Sequence, residues 1–192
     1  MGIAVDAPNV NTGESRFVVK DGRIQYGLAA IKGVGGQAID EIVNAREEGR
    51  FSSIFDFVSR VDPKICNKKT MESLMFAGAF DSIDPNRAQL VESMEDILAY
   101  GARIAEDRRL NQASLFGAST SGGQLQQQPK LREVPAWTTI ERLNKEREYI
   151  GFYLSGHPLD RYKDDIALFS THKLQSEKLS ELQGKTEAQF VA

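Results

Sequence analysis

Four consecutive residues, Gly33-Val34-Gly35-Gly36, form the stretch of this 192-residue sequence that is best suited to binding an anion. Glycine lets the backbone approach a partner closely, because no Cβ stands in the way. Apolar residues at helical spacing on both sides predict two helices, at residues 27–32 and 36–46, joined by this turn. The amides that begin the second helix are then exposed, and the helix dipole there favours a negative charge. The turn is therefore predicted to bind a phosphate, while Val34 points inward and holds the two helices together.

Side chains near the glycine turn extend the predicted phosphate site. Lys32 precedes the turn, Gln37 follows it, and a lysine pair comes later at the start of another predicted helix. The full set of predicted DNA-contacting residues is Lys32, Gly33, Val34, Gly35, Gly36, Gln37, Lys68 and Lys69. Two alternatives stay open: the glycine turn can be purely structural, and the lysine pair can be the solvated start of a helix.

The same glycines also match a second, unrelated pattern. Gly33, Gly35 and Ala38 satisfy the relaxed dinucleotide-binding fingerprint G-x-G-x-x-G/A. That fingerprint requires a strand before the glycines and an acidic residue on a second strand about 20 positions later. Asp56 lies near that distance, but the residues around it have helical periodicity, and no further strand–helix units follow. The helix-hairpin-helix is therefore the favoured interpretation of this turn.

A second candidate binding site is the pentapeptide Gln112-Ala113-Ser114-Leu115-Phe116. The surrounding residues 111–136 are rich in Gly, Ser, Gln and Pro, a composition typical of a flexible linker. Leu115 and Phe116 therefore have no core to join within it. In an extended peptide they can enter separate pockets of a partner, while the amide of Gln112 both donates and accepts hydrogen bonds. The alternative is that the two apolar residues fold back onto the preceding domain as the end of a helix.

The sequence contains no arrangement of side chains typical of a catalytic or metal site. Cys66 is the single cysteine, and the two histidines, His157 and His172, lie far from it along the chain. The neighbouring carboxylates Glu47 and Glu48 fall at a helix end without a partner histidine. We therefore predict no catalytic residues, no metal ligands and no cofactor in this chain.

Composition and charge restrict the class of protein. The net charge is −3, with 24 basic and 27 acidic residues, which argues against a protein that works mainly through nonspecific affinity for DNA. No apolar run approaches the length of a membrane span, about 18 residues. A lone cysteine fits a reducing compartment. These features predict a mildly acidic, soluble, cytoplasmic protein that does not associate with membranes.

The elements that must position these sites are predicted to be mainly α-helical. The N-terminal part combines an extended lead-in with a small β-hairpin around Asp21-Gly22, and two consecutive helical hairpins follow. The second hairpin has an Ala-Gly turn without the two-glycine nest and is expected to contribute packing. The predicted divisions are 1–26 for the lead-in and β-hairpin, 27–110 for the tandem helix-hairpin-helix, 111–136 for the flexible linker, 137–170 for an isolated C-terminal helix and 171–192 for a frayed tail.

Capping residues predict where several helices begin. Ser52-Ser53 can supply the cap of one helix and Asn67 the cap of the next. Asp84-Pro85 predicts the start of a helix that continues to residue 110. Thr138 and Glu141 match the capping-box pattern and predict the start of the C-terminal helix.

Three ordered blocks of this sequence together indicate a protein family. The first block reads IQYGLAAIKGVGGQAIDEIVNAREEGRFSSIFDFVSRVD, the second NKKTMESLMFAGAFDSI followed by PNRAQL, and the third EREYIGFYLSGHPLDRY. These blocks resemble the alpha subunit of the bacterial replicative DNA polymerase III. The similarity extends over residues 1–165. The resemblance implies that the chain corresponds to the end of the fingers and the tandem helix-hairpin-helix region that follows.

The resemblance also implies a division of roles within that family. The catalytic palm with its metal-binding aspartates lies upstream, so the DNA polymerase chemistry and its magnesium belong to the parent protein, outside this chain. The hairpins are expected to bind the backbone of duplex DNA behind the polymerase active site. An OB-fold domain is expected to follow the GHPLD sequence near the end of the chain.

A further implication concerns the pentapeptide in the linker. In this family the sliding-clamp motif follows the hairpins and has the pattern Q-x-x-[LM]-F. The predicted clamp-binding residues are Gln112, Ser114, Leu115 and Phe116. The expected partners are duplex DNA, the beta sliding clamp, the rest of the alpha subunit and the replicase holoenzyme, in the bacterial cytoplasm at the nucleoid. The alternative is a helix-hairpin-helix DNA-repair or scaffold module that does not bind a clamp.

Overall fold

The computed structural model describes residues 4–114, 127–169, 172–173 and 190–191. Packing divides the chain into two units, with the boundary after Ser155. The first unit contains a small sheet, most of the helices and the hydrophobic core. The predicted fold class, mainly α-helical with a small N-terminal β-hairpin, is confirmed.

The N-terminal sheet has three short strands, β1 (Val5–Asp6), β2 (Val18–Lys20) and β3 (Arg23–Gln25), in the order β1-β3-β2. β2 and β3 are antiparallel neighbours, and β1 pairs with β3 in parallel. The turn between β2 and β3 has positive φ at both central residues, Asp21 and Gly22, as a two-residue type I′ hairpin turn requires. The predicted hairpin is confirmed, whereas β1, with two residues, is too short to be recognised from its pattern.

The first helical hairpin is tighter than predicted. Its first helix is a single 3₁₀ turn, Leu28–Ala30, because Ile31 returns to an extended backbone with ψ 123°. The glycine turn follows, and α1 then spans Gly36–Ala45. A short 3₁₀ helix, Arg46–Glu48, continues directly from α1, and Gly49, with φ 129°, caps its end. The predicted helix over 27–32 is therefore reduced to one turn.

The next two helices begin at predicted capping residues. α2 spans Ile54–Arg60, and Oγ of Ser53 accepts a hydrogen bond from the amide three residues later at 3.0 Å. α3 spans Lys68–Phe76, and Oδ1 of Asn67 accepts a hydrogen bond from the amide three residues later at 3.2 Å. Each cap satisfies one of the amides that a helix leaves free at its first turn.

The second helical hairpin differs from the prediction where its second helix begins. α4 spans Arg87–Glu92 and is capped by Asn86, whose Oδ1 accepts a hydrogen bond from the amide of Gln89 at 3.2 Å. The predicted start at Asp84-Pro85 is therefore wrong. The carboxylate of Asp84 instead accepts a hydrogen bond from the amide of Asn86 at 2.9 Å and stabilises the turn that precedes α4.

Ser93 divides the predicted long helix into α4 and α5, and α5 spans Met94–Ser114. The buried hydroxyl of Ser93 accepts a hydrogen bond from the amide of Arg132 at 2.8 Å. A break in the helix at this residue thus coincides with a contact to a distant part of the chain. At its other end α5 continues through residue 114, so residues 111–114 of the predicted linker are helical.

Part of the predicted flexible linker is held against the first unit. Residues 127–136 form neither helix nor strand. Within them, the carbonyl of Val134 accepts a hydrogen bond from Nδ2 of Asn86 at 3.0 Å, and Leu131 packs against the core. Composition did not reveal these contacts, because the partners lie on distant helices. The remaining linker residues, 115–126, lie outside the described residues.

α6 spans Thr139–Ile150 and begins at the predicted capping box, in which Thr138 and Glu141 exchange hydrogen bonds. The prediction that this helix is isolated is wrong, because it packs against α3. Leu143 and Glu146 on its inner face are each 1 % exposed. The sequence did not indicate this packing, because one of the two buried residues is a glutamate. Its burial depends on an ion pair with Arg87, which lies elsewhere in the chain.

The hydrophobic core collects side chains from the 3₁₀ turn and from helices α1 to α5. Its largest fully buried side chains are Tyr26, Leu28, Ile31, Ile39, Ile42, Phe57, Met71, Leu74, Met75, Phe80, Leu90 and Ile97. Burying a side chain of this size stabilises a fold by about 1.5–3 kcal/mol. Because the two helical hairpins share one core, the position of the glycine turn relative to α3 is fixed.

The second unit is small. Its described elements are a 3₁₀ helix (Pro158–Tyr162), α7 (Lys163–Phe169), and a parallel pair of two-residue strands, β4 (His172–Lys173) and β5 (Phe190–Val191). The strands lie within the predicted frayed tail, most of which is outside the described residues. Across the described part of the chain, no helix combines the length and the apolar character needed to span a membrane.

Candidate nucleic-acid interface

The glycine turn of the first hairpin is anchored on the protein side by its first two residues. Gly33 has φ +90°, a backbone conformation that favours glycine. A Cβ built on Gly33 would lie 2.6 Å from Oγ of Ser73, so the turn lies directly against α3. Val34 points inward with 9 % exposure, and its amide donates to the carbonyl of Ile31 at 3.2 Å. The amide of Val34 is thus bonded within the turn. It is not one of the exposed amides that the sequence predicted for this turn.

Three other amides at the turn are free to meet a ligand. Gly35 caps α1, and Gly36 and Gln37 form its first turn, where amides have no partner within the helix. None of these three amides donates to an acceptor among the described residues. Cβ atoms built on Gly35 and Gly36 would meet no atom within 4 Å. The outer side of the turn is therefore unobstructed, as the close approach of a phosphate requires.

A cavity of about 330 Å³ lies beside this turn. It is lined by Gly33, Gly35, Gln37, Ala38, Lys64, Ile65, Asn67, Lys69 and Thr70. The starts of α1 and α3 both border the cavity, so two helix dipoles favour an anion there. The amide of Thr70 is already bonded to the capping side chain of Asn67 at 3.2 Å, so it is not free to bind a ligand.

Only one of the lysines predicted from sequence lies at this cavity. Lys69 lines it. The neighbouring Lys68 does not, and its Nζ lies 3.6 Å from Oε1 of Glu95. Lys32 is also outside the lining, and its backbone amide donates to the carbonyl of Tyr149 at 2.9 Å. The structure therefore brings the glycines together with one of the three predicted lysines.

Sequence reasoning missed a second cation at the cavity, Lys64. It follows Pro63 in the connection between α2 and α3, and its amide donates to Oδ1 of Asp62 at 2.8 Å. The hydrogen bond to the Asp62 side chain stabilises a turn in this connection, and the turn places Lys64 beside the same cavity as Lys69. The Asp-Pro pair was a sequence signal for the turn. No local signal indicated which helix end the following lysine would approach.

The charge around the cavity is mixed. Lys64 and Lys69 are exposed cations in its wall. Close to this wall, Oε1 of Glu41 accepts a hydrogen bond from the amide of Asp62 at 2.8 Å, so two carboxylates are also present. Burial, together with these two carboxylates, raises the pKa of the Cys66 thiol to about 12. The thiol therefore stays protonated and supplies neither charge nor a nucleophile.

A larger groove of about 850 Å³ shares Lys64 with this cavity. Its walls are the connection after α2 and the C-terminal half of α5. Arg108 and Arg109 line the groove, but Glu41 and Glu106 line it too. Arg109 is moreover paired with Glu106 at 2.7 Å. Because basic and acidic side chains alternate there, the groove suits a polyanion less well than the cavity at the glycine turn.

The predicted clamp motif stays a prediction. Gln112, Ala113 and Ser114 lie in the last turn of α5, whereas the sequence favoured an extended segment. Leu115 and Phe116 lie outside the described residues. The two residues that would supply most of the burial in a complex are therefore known from the sequence pattern alone.

Two alternative kinds of site find no support in the described residues. No three His, Cys, Asp or Glu side chains among them are grouped in a way that could hold a metal ion. The dinucleotide fingerprint requires strands on either side of the helix that follows the glycines. Here Asp56 lies in α2, and a 3₁₀ turn precedes the glycines. The glycine turn thus belongs to a helical hairpin.

A sequence profile of the helix-hairpin-helix motif matches residues 2–90, which include every residue that lines the cavity. Three similar proteins are each called DNA polymerase III subunit alpha. The protein of Borreliella burgdorferi is 41 % identical over 172 residues, which cover 89 % of this chain and 15 % of that protein. Those of Caulobacter vibrioides and Pasteurella multocida are 42 % and 40 % identical, over 83 % and 91 % of this chain and 14 % and 15 % of those proteins. The chain belongs to the DNA polymerase III alpha subunit family.

The family assignment confirms the resemblance seen in the three sequence blocks, and the profile confirms the helix-hairpin-helix. The chain spans 14–15 % of the length of the curated alpha subunits that it matches. The profile ends at residue 90, before α5 begins. The cavity at the glycine turn therefore lies within the matched motif, and the predicted clamp motif lies beyond it.

Proposed function

We propose that this chain is a non-catalytic part of a DNA polymerase III alpha subunit that binds the backbone of duplex DNA and so supports processive replication. The observation that carries the proposal is the cavity beside the glycine turn. Unobstructed glycines, free amides at the start of α1 and two lysines converge there. Each of these groups suits a phosphate, and none of them reads a base.

The chemistry of binding follows from these groups. A phosphate oxygen would accept hydrogen bonds from the amides of Gly35 and Gly36, where the helix dipole is positive. Lys64 and Lys69 would add attraction, and each phosphate contact contributes about 0.9 to the slope of log K against log salt. The carboxylate of Glu41, near the cavity, opposes this attraction. We therefore expect binding that is modest in affinity, dependent on salt and independent of sequence.

We also propose that Gln112, Ser114, Leu115 and Phe116 bind the sliding clamp. The support is the pattern Q-x-x-[LM]-F directly after the hairpin region. Leu115 and Phe116 would each contribute about 1.5–3 kcal/mol when fully buried, while ordering the segment opposes binding. Since residues 112–114 are helical here, an extended bound form would also require the last turn of α5 to unwind. Such a contact is weak alone and gains from tethering to the same DNA.

The remaining partners follow from the same assignment. The rest of the alpha subunit and the replicase assembly would adjoin this region, in the bacterial cytoplasm. DNA polymerase activity and its magnesium would belong to parts of the alpha subunit outside this chain. The competing assignment is a helix-hairpin-helix scaffold in which the glycine turn only connects two helices, and it predicts no loss of DNA binding when the turn is altered.

Duplex binding by a Gly35→Val variant is the direct test. Valine fits the extended backbone at this position, φ −85° and ψ 158°, and its Cβ would meet no protein atom within 4 Å. The fold should therefore persist while the branched side chain blocks the phosphate. We expect about tenfold weaker binding to a labelled duplex at low salt, measured by fluorescence anisotropy, because a charge-assisted hydrogen bond is lost. If the folded variant binds as tightly as the parent, the turn is a scaffold and the phosphate assignment is wrong.

A further inference from the structure

The residue that precedes the glycine turn is held by helix α6. The amide of Lys32 donates a hydrogen bond to the carbonyl of Tyr149 at 2.9 Å. Beside it, the buried hydroxyl of Tyr26 donates to the carbonyl of Ile150 at 3.2 Å. Both carbonyls belong to the last turn of α6, where carbonyls have no partner within the helix. The end of α6 therefore determines where the backbone enters the turn at Gly33.

One turn earlier, α6 carries a buried carboxylate. Glu146 is 1 % exposed, and its Oε1 lies 3.0 Å from Nη2 of Arg87, which is 5 % exposed. Arg87 also donates two hydrogen bonds to the carboxylate of Asp81, at 2.7 and 2.6 Å. The other oxygen of Glu146 accepts hydrogen bonds from the amide and the hydroxyl of Ser155 at 3.1 and 2.9 Å. Each member of the pair thus has further polar partners, and the pair joins α4 to α6.

Arg87 also occupies the turn of the second hairpin. That turn has φ +77° at Gly78, and a Cβ built there would collide with the guanidinium of Arg87. Nη1 of Arg87 donates to the carbonyl of Phe76 at 3.3 Å, at the end of α3. The guanidinium of Arg87 therefore lies against the turn glycine of the second hairpin, whereas the space outside Gly35 and Gly36 in the first hairpin is empty. The turn of the second hairpin binds a carboxylate of α6 through Arg87 and leaves no room for a phosphate.

We propose that Arg87 and Glu146 are positioning residues for the phosphate site. Glu146 and Ile150 lie one turn apart on the same face of α6. The buried pair therefore sets the register at which the end of this helix meets Lys32. A buried ion pair adds little net stability over well-packed apolar side chains, but it specifies one geometry. The inference rests on the proposed DNA-binding function, since it concerns how the turn of that site is held.

Two substitutions separate positioning from stability. In the double variant Arg87→Met/Glu146→Leu, apolar side chains replace both charges. They fill the space of the buried ion pair but do not make its directional hydrogen bonds. Glu146→Gln is the milder change, because it removes the charge and keeps hydrogen-bonding atoms in place. Lys68→Gln is the matched control, since it removes a charge that does not line the cavity. Gly35→Val is included in the same series to test the phosphate site itself.

The expected result has three parts. Both Glu146 variants stay folded by circular dichroism and bind the labelled duplex about two- to thirtyfold more weakly than the parent. The amide hydrogen of Lys32 exchanges faster with solvent, because its acceptor on α6 has shifted. The slope of log K against log salt stays that of the parent, since no lysine at the cavity is removed. A purely structural role for the pair predicts, in the folded variants, parental affinity for the duplex and parental exchange of the Lys32 amide.

The contrary outcomes are distinct. Parental affinity and parental protection of the Lys32 amide in a folded variant would overturn the proposal, and weaker binding by Gly35→Val would still uphold the DNA-binding function. Parental affinity of Gly35→Val would instead show that the DNA-binding function is wrong. If Glu146→Gln does not fold, the double variant carries the test. If neither folds, the pair serves the fold as a whole and the positioning proposal is overturned.

Discussion

Gly33 lies so close to Ser73 that a Cβ on the glycine would stand 2.6 Å from the serine hydroxyl oxygen. This contact sets the turn of the first hairpin directly against α3. The hydroxyl of Ser73 also donates to the carbonyl of Lys69 at 2.9 Å. Ser73 thus contacts both Gly33, in the turn, and Lys69, which carries the charge. Through Ser73 the two hairpins form a single site.

The two glycines of the turn should respond differently to alanine. Gly33→Ala should lower the free energy of unfolding by about 1–3 kcal/mol, since φ +90° strains alanine and its Cβ meets Ser73. Gly35→Ala is the matched control, because its Cβ meets no atom, and we expect a change within about 1 kcal/mol. Urea unfolding followed by circular dichroism measures both. Equal stability of the two variants would contradict the packing role of Gly33.

The adjacent lysines of α3 should differ in their effect on DNA binding. Lys69→Gln should weaken duplex binding and lower the slope of log K against log salt by about 0.9, because one phosphate contact is lost. Lys68→Gln should leave the slope unchanged, since Lys68 is directed to Glu95 and not to the cavity. Anisotropy titrations over a series of salt concentrations measure the slopes. The same loss of slope in both variants would mean that the cavity does not select between the two lysines.

The turn of the second hairpin should tolerate no side chain at Gly78. Gly78→Ala should destabilise the protein by about 3–5 kcal/mol, because its Cβ displaces the guanidinium of Arg87 and leaves Glu146 buried without its partner. Gly49→Ala is the control for backbone strain alone, since φ is +129° there but its Cβ meets no atom, and about 1–3 kcal/mol is expected. Urea unfolding measures both. A similar cost at the two positions would mean that the Arg87 contact contributes little.

The clamp motif should depend on its two apolar residues. Leu115→Ala/Phe116→Ala should abolish measurable binding to the sliding clamp, because it removes the burial of two side chains worth about 1.5–3 kcal/mol each. Leu125→Ala is the control, since no aromatic residue follows Leu125. Isothermal titration calorimetry measures the affinity. If the double variant binds the clamp like the parent, the motif has been assigned to the wrong residues.

The single cysteine should be unreactive in the folded protein. Burial raises the pKa of the Cys66 thiol from 9.0 to about 12, so the reactive thiolate is nearly absent near neutral pH. Because the folded pKa lies above the unfolded value, the thiol contributes stability that is complete below pH 9.0 and is lost as pH rises through about 12. A chromogenic disulfide reagent, added with and without urea, measures the reactivity. Rapid reaction without urea would contradict the buried, protonated state.

Features that depend on a few neighbouring residues were predictable from the sequence. The turn at Asp21-Gly22, the cap of α3 by Asn67 and the capping box of Thr138 belong to this group. Each is formed by residues within about four positions of one another, so the local pattern contains the chemistry that decides it.

The start of α4 could not be predicted from neighbouring residues alone. Asp84 and Asn86 are both good capping residues, and the sequence favoured Asp84 because a proline follows it. In the structure Asn86 caps α4 with its Oδ1 and donates from its Nδ2 to the carbonyl of Val134. An asparagine can make both contacts, whereas an aspartate has no donor. The second contact joins residues far apart in the chain, and no local pattern contains it.

By itself the sequence determined the mainly helical fold, the glycine turn and the resemblance to the alpha subunit family. Only the tertiary structure decided that Lys64 and Lys69 lie at that turn while Lys68 does not, and that α6 docks through the pair of Arg87 and Glu146. The physical reason is the range of the interactions. A sequence displays the type and charge of each side chain, but the group that each side chain meets depends on how distant elements pack.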